Sequence, residues 1–447
     1  MELRIPQHVR NLMDKFAKAN YEIYIVGGGV RDMLMGKAVT DWDFTTNAKP
    51  EEILALFKNA YYNNNFGTVG IPAEDEDLKP HEVTTFRTEG RYSDSRRPDS
   101  VRWGRSIKED LTRRDFTINA MAVGRRGKLI DYFDGTKDLS QKRIRAVGNP
   151  HERFSEDALR MMRAVRIASQ LNFTIEPKTK KAIAEQASSI RKIAAERVRD
   201  ELLRILSSPH PYEGVVLLRE VELVKEILPE FEETFGVDQI SPGRHHIHDV
   251  GTHLLMSLKY TPSEDSITRM AALIHDIGKP LTRKKRGEII TFYNHEITGA
   301  RIAKNIARRL RLSKKDSDKL WRLVRYHQFT VEEHQTDSAL RRFIKNVTPA
   351  YLDDILALRT GDRLGSGARE TSWRTEEFKA RLVEVLKQPF TVHDLKITGH
   401  DVMRELGIKP GPEVGKILEE LFNEVVEKKL PNKQAELTKK LKDLRRR

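Results

Sequence analysis

The sequence predicts an α+β chain, with a small mixed-sheet head followed by an elongated all-helical body. Short β-like runs closed by glycine or polar turns are confined to about the first 145 residues. After about residue 150, apolar residues recur at three-to-four spacing in nearly every segment. The chain has 447 residues, too many for one compact core, and is 38% hydrophobic, enough to fold.

The elements follow in order. An amphipathic helix over about 6–19 leads into a β run over 21–26. The glycine turn Gly27-Gly28-Gly29 opens a helical stretch, and a second strand follows over 42–45. Further β-like runs fall at 67–72, 81–87 and 129–133. Segment 88–106 is polar, basic and poor in aliphatics, which predicts a loop. Helices are expected over 156–171, 177–187, 195–207, 212–225, 299–310 and 375–387, with a connection at 262–265. Residues 430–447 end in a basic run. No internal repeat is seen.

Lys and Arg total 80 against 66 Asp and Glu, a net charge of +14, which favours a polyanionic partner such as nucleic acid. There are no cysteines, so disulfides, zinc–thiolate sites and cysteine nucleophiles are excluded. A cytoplasmic location is expected. No apolar run is long enough for a bilayer, and the first residues lack a signal-peptide core, so no membrane partner is expected.

Asp41 and Asp43 lie two apart on the second predicted strand, so period-2 geometry points both to one face while Trp42 and Phe44 point to a core. Paired carboxylates repel unless a cation lies between them, and hard oxygen ligands suit Mg²⁺ with substrate phosphates. Gly28 can bring backbone N–H groups to a phosphate, and Arg31 adds a charge-assisted contact. Together these point to nucleotidyl transfer, one metal activating an RNA 3′-hydroxyl and another stabilising the leaving pyrophosphate. Glu82, on a neighbouring β run, is the candidate third carboxylate.

This segment resembles the head of the class II tRNA nucleotidyltransferase and bacterial poly(A) polymerase family, within the polymerase-beta-like superfamily. Arg113-Arg114-Asp115-Phe116-Thr117-Ile118-Asn119-Ala120 is similar to a family block. The resemblance implies that Arg114 and Asn119 reach the triphosphate and sugar. Ser155 is a plausible N-cap for the next block, Glu156-Asp157-Ala158-Leu159-Arg160-Met161-Met162-Arg163 continuing to Arg166. It resembles the helix that chooses CTP or ATP without a nucleic-acid template. That implies base reading by Asp157 and Arg160, with nucleotide contacts from Arg163 and Arg166. Glu196–Leu202 resembles a supporting helix behind the template.

In the middle of the chain, His275 and Asp276 lie inside an apolar stretch, where burial is costly without a partner or metal. With His253 before them and Asp362 after, they resemble the HD phosphohydrolase superfamily. The resemblance implies a divalent transition metal on His253, His275, Asp276 and Asp362, with His295 and His327 as positions for a second ion. An activity on phosphorylated RNA ends follows as an expectation.

The resemblance divides the chain into a nucleotidyltransferase head (1–145), a helical neck with the nucleotide-selecting helix (146–235), an HD domain (236–370) and a helical, RNA-contacting tail (371–447). It implies addition of CCA to tRNA from CTP and ATP. An A-adding or CC-adding relative and a poly(A) polymerase share the head motifs. In that family a full loop at this place accompanies terminal A addition, so the resemblance implies that loop 88–106, with Arg91, Asp94, Arg96, Arg97 and Asp99, goes with adding A. A different class of reading is an HD phosphohydrolase whose head is catalytically silent and binds RNA. The oligomeric state is not legible.

Overall fold

The computed structural model describes residues 2–62, 67–73, 79–89, 101–104, 106–239, 247–287, 289–329, 337–368, 373–386, 392–427 and 429–445. Arg91, Asp94, Arg96, Arg97 and Asp99 lie outside the described residues. The contacts divide the chain into two compact units. The first holds Met1–Val237, Glu264–Met270 and Asn305–Lys314, and the second holds the remainder.

The first unit begins with β1 (Ile23–Val26), β2 (Asp43–Thr46), β3 (Tyr61–Tyr62), β4 (Thr68–Ile71) and β5 (His81–Thr85). The chain continues through β6 (Arg87–Glu89), β7 (Val101–Trp103), β8 (Met121–Gly124) and β9 (Leu129–Asp131). Among the described residues, seven of these form one sheet in the order β3-β4-β5-β2-β1-β8-β9, while β6 and β7 pair separately. Only β2 and β5 run parallel, so the sheet is mixed, as the sequence predicts.

The apolar residues of one face set the register. Ile25, Phe44, Val69, Val83 and Val123 bury against Val9, Leu12, Met13 and Phe16 of the helix Gln7–Lys18. Burying such a side chain is worth about 1.5–3 kcal/mol, and a one-residue slip would turn all of them to the other face. The intervening residues Asp43 and Glu82 are therefore held on the front. On that side Val26, Ala122 and Phe86 pack on Ile107 and Leu111.

The helical reading of the remainder holds, with two small exceptions. Arg143–Ile144 pairs with Thr174–Ile175, and Lys284–Arg286 pairs with Ile289–Thr291. The expected helix over 156–171 is two helices. Pro150–Glu156 stops at Asp157, whose backbone is extended, and Leu159–Leu171 starts anew. Ser155 is not an N-cap: Asn149 caps the first helix, and the Ser155 hydroxyl donates to the His151 carbonyl. The run at 212–225 also breaks, at Glu222 with φ of 64°.

In the second unit the helices Val250–Tyr260 and Leu352–Gly365 pack very closely. Gly361 and Gly365 make this approach, because a Cβ at Gly361 would lie 2.1 Å from Thr261 Oγ1 and one at Gly365 would lie 2.6 Å from Ser257 Oγ. Residues 392–444 of this unit gather around a core of their own, including Leu395, Val402, Leu421 and Leu437. None of the described helices is long and apolar enough to cross a membrane.

Candidate active site

The strand β1 is followed by Gly27, whose φ of 74° and ψ of −140° suit only glycine. A Cβ there would also sit 3.3 Å from both Asp43 Oδ2 and Arg114 Nη1. The tight turn thus places the helix Gly28–Leu34 beside Asp43 and Arg114. Asp43 opens β2 and lies opposite Glu82 in the parallel register with β5. Asp41 precedes the strand instead of lying within it; it is exposed, and its carboxylate is 3.5 Å from Lys79 Nζ.

Burial pushes the Asp43 carboxyl up to about 6, Arg114 opposes this, and the Asp41 and Glu82 charges add to it. A carboxylate so crowded by its own kind needs a counter-charge. Carboxylate oxygens of this kind suit a hard divalent cation, but among the described residues Asp41, Asp43 and Glu82 do not come together as one ligating group, and only Asp43 lines the cleft described next.

Asp43 forms one wall of a cleft of about 330 Å³. The other lining residues include Arg87, Arg113, Arg114, Asp115, Asp157, Arg160, Arg163 and Arg197. Six guanidinium groups thus face three carboxylates, a balance that suits a polyphosphate.

These arginines are held in place. Fully buried Asp110 grips Arg113 at 2.7 Å and Arg114 at 3.3 Å. Burial alone would raise the Asp110 carboxyl, but Arg114 and Arg113 outweigh it and hold it below the usual range. Asp115 accepts from Arg163 at 2.6 Å and from the Asn119 amide at 3.3 Å. Asn119 in turn accepts from Arg31 at 3.0 Å, and Arg31 also pairs with Asp32.

Burial would likewise raise the Asp115 carboxyl, yet Arg163 prevails and the value falls to about 2. A depressed acid stabilises the fold above its unfolded value near 3.9, and this is lost as pH drops through about 2. Asp115→Asn is therefore expected to cost about 2 kcal/mol at pH 7. Denaturant titrations should show that cost roughly halved near pH 3. An unchanged difference would remove the ion pair from the stability account.

Asp157 occupies the break between two helices. Its Oδ1 accepts from the Leu159 backbone N–H at 3.0 Å and its Oδ2 pairs with Arg197 at 2.9 Å. Arg160 is fixed by Glu156, by the Arg153 carbonyl at 3.0 Å and by the Arg113 carbonyl at 3.3 Å. Asp157 and Arg160 therefore enter the cleft together, each braced by other residues.

Arg163 pairs with Asp115 and lines the same cleft as Asp157 and Arg160. Arg166 pairs with Glu201 at 2.7 Å and is not among the cleft lining, so its expected nucleotide contact is not supported by its position. Gly28, Arg31 and Asn119 stand behind the lining, linked to it through Gly27 and Asp115. Arg197 and Asp110 were missed by sequence reasoning. Arg197 sits in the segment read as a supporting helix, and its partner is 40 residues away.

The second unit holds a separate buried cluster. His253 Nε2 lies 3.2 Å from His275 Nε2, 3.4 Å from Asp276 Oδ2 and 3.3 Å from Asp362 Oδ1. The other Asp276 oxygen lies 3.1 Å from His295 Nε2 and 3.5 Å from His327 Nε2. Nδ1 of His275, His295 and His327 donates to the carbonyls of Ala272, Phe292 and Val324. With Nδ1 so engaged, each Nε2 faces inward, where it would serve as a ligand atom once deprotonated.

Burial lowers His275, but Asp276 and Asp362 prevail and raise it to about 10, while both carboxyls lie well below their usual range. The cluster demands positive charge, and its imidazole–carboxylate donors fit a divalent transition metal. Lys279 Nζ, 2.6 Å from Asp276 Oδ2, supplies part of that charge.

Family models match three parts of the chain: a poly A polymerase head domain over residues 23–145, a probable RNA and SrmB-binding site of polymerase A over 172–235, and a putative tRNA nucleotidyltransferase domain 2 over 290–441. The CCA-adding enzyme of Levilactobacillus brevis is 35% identical over 435 residues, covering 97% of each chain. That of Lactococcus lactis is 34% identical over 441 residues, covering 97% of this chain and 95% of its own. Among solved structures, the Bacillus stearothermophilus CCA-adding enzyme in complex with CTP superimposes with a TM-score of 0.70 at 25% identity, covering 98% of this chain and 97% of its own. The Thermotoga maritima CCA-adding enzyme complexed with tRNA has the same fold, with a TM-score of 0.60 at 19% identity over 98% and 96% of the two chains. With such identity sustained over nearly the whole of both sequences, the chain belongs to the CCA-adding enzyme family.

Proposed function

We propose that this protein completes the 3′ end of tRNA by adding CCA from CTP and ATP, untemplated by nucleic acid, with release of pyrophosphate. The observation that carries the reading is one cleft that joins Asp43 to the Asp157–Arg160 pair. Cytosine and adenine both present an exocyclic amine, whereas uracil and guanine present a carbonyl oxygen in its place. A carboxylate fixed like Asp157 accepts from the amine and repels the carbonyl, and Arg160 donates to a ring acceptor. Arg197 keeps Asp157 in that orientation. Arg87 and Arg114, which line the cleft, would draw in the triphosphate. Asp43 would hold Mg²⁺, with Asp41 and Glu82 as further carboxylates, and the ion supplies activation of the 3′-hydroxyl and neutralisation of pyrophosphate. A cytoplasmic location fits a cysteine-free member of this family.

The test incubates the protein with tRNA lacking its 3′ end and supplies CTP and ATP, separately and together. Two C additions with CTP alone, completed by one A when ATP is present, are expected. Long tails from ATP alone would instead make it a poly(A) polymerase, and arrest after C or failure before A would make it a partial relative.

A second reading is favoured by the His/Asp cluster, whose two sets of three donors share Asp276. It assigns metal-dependent phosphohydrolysis of RNA ends to His253, His275, Asp276 and Asp362, with His295 and His327 for a second ion. His275→Ala with Asp276→Ala is expected to abolish hydrolysis of bis(p-nitrophenyl) phosphate and metal retention on dialysis. Equal phosphodiesterase rates before and after the double change would sink this reading.

A further inference from the structure

The two most exposed large apolar side chains among the described residues are Tyr293, 76% exposed, and Leu281, 72% exposed. Neither position is arbitrary. Leu281 lies two residues after Lys279, which holds Asp276, and Tyr293 lies two residues before His295. Ile247 and Ile289 are also well exposed, at 62% and 55%. A Cβ at Gly367, the residue after Ser366 beside His253, would lie 3.0 Å from Ile247 Cδ1. Four large apolar groups thus emerge to solvent on segments rooted in the buried cluster.

The hairpin of Lys284–Arg286 and Ile289–Thr291 explains the pattern. Alternation buries Ile290 and Phe292 on its inner side and leaves Ile289 and Tyr293 outward. Phe292 then meets Lys279, whose Nζ stands 5.4 Å from the ring centroid. The outward residues share their segment with exposed Arg283, Lys284 and Lys285. Lys284 lies opposite Thr291 in the ladder, on the same side as Tyr293. One exposed apolar residue needs no explanation, but Ile289 and Tyr293 share the outward side of one hairpin with Lys284, and that grouping carries the inference. The accompanying charge is basic, which selects a polyanion.

We propose that this hairpin is a docking strand for single-stranded RNA, delivering the RNA 3′ end to the His/Asp cluster. Tyr293 offers a face for an unstacked base, and Lys284, on the same side of the hairpin, holds a backbone phosphate. The inference rests on the phosphohydrolase reading for its destination, but the docking itself is a binding claim. With a 2′,3′-cyclic phosphate end, water adds across one P–O bond. The water oxygen goes to phosphorus and its proton to the freed ribose oxygen, so no further reactant is required.

The test uses the full chain and a 12-nucleotide RNA carrying 4-thiouridine near a 2′,3′-cyclic phosphate end. After ultraviolet irradiation, cross-linked peptides from residues 279–295 are expected, and they should disappear in Tyr293→Ala with Lys284→Glu. The same pair of changes should raise KM for ring opening about tenfold and leave kcat within about twofold. Cross-links confined to other segments overturn the proposal. So does a concentration-dependent dimer that Tyr293→Ala abolishes, because a second copy would then be the occupant. Cross-links at 279–295 without any ring opening would support the docking strand and refute the phosphohydrolase reading instead.

Discussion

Asp43→Asn is expected to lower incorporation of labelled CTP and ATP into tRNA by on the order of 10³-fold, while raising the melting temperature. The loss follows from position. Asp43 lies in register with Glu82, faces Arg114 across Gly27, and opens onto the cleft that holds Asp157 and Arg160. Charge stabilisation at such a centre is worth several kcal/mol, which is on the order of 10³ in rate. The gain follows from the same crowding. Burial, then Asp41 and Glu82, lift the carboxyl to about 6, so its ionised form opposes folding at neutral pH. The sign is that of an acid raised on folding: stability falls as pH climbs from about 4 to about 6 and stays low above. Asparagine removes the charge and keeps the shape, which should recover about 1–3 kcal/mol without divalent ions present. Thermal scans at pH 7 and pH 5 check this, with the difference between variant and native chain shrinking at pH 5. A melting temperature that drops by several degrees would show that the carboxylate is instead satisfied in the folded state.

Gly361→Leu is expected to damage the second unit severely. The glycine faces Thr261 and the Ser257 backbone, with no space for even one added carbon. Overpacking of this sort costs about 1–3 kcal/mol when a side chain can yield, and more when backbone must move. Asp362 is the adjacent residue, so separating the two helices withdraws its carboxylate from His253 and His275. Circular dichroism should show retained helix with a lower midpoint. Elemental analysis after loading and dialysis should show loss of divalent metal. Full retention of metal would mean that Asp362 is dispensable for holding it.

Much of the head was legible because a strand has a simple period. The apolar residues Trp42 and Phe44 alternate with Asp41 and Asp43, and the same alternation around Val83 exposes Glu82. Asp41 lies before the strand and is exposed, so strand period does not fix its side beside Asp43 even though Trp42 is buried. The helix break at Asp157 was hidden for the opposite reason. Phe154, Ala158, Met161, Met162 and Val165 are all buried, so the apolar pattern runs through the break without a gap. What interrupts the helix is the Asp157 carboxylate, which serves Leu159 and Arg197 together. Arg197 left no local signal, because an ion pair across 40 residues is a product of folding rather than of spacing; Asp110 did leave one, three and four residues before Arg113 and Arg114. Strand β8 has only four residues, Met121–Gly124, with an uninterrupted apolar run at its start and hence no period-2 pattern. The histidines were legible as a set, but not the two-sided use of Asp276.

That two-sided use has a consequence for occupancy. An ion taken up by the His253–His275 side and an ion taken up by the His295–His327 side would draw on opposite oxygens of one carboxylate. Their affinities are then linked, and the linkage is reciprocal: whatever the first does to the second, the second does to the first. Two dications around one anion repel, so a calorimetric titration should resolve into two separated steps of decreasing affinity. Where metal is scarce, the resting population would carry one ion per molecule, and the ambient supply would set how many molecules carry both.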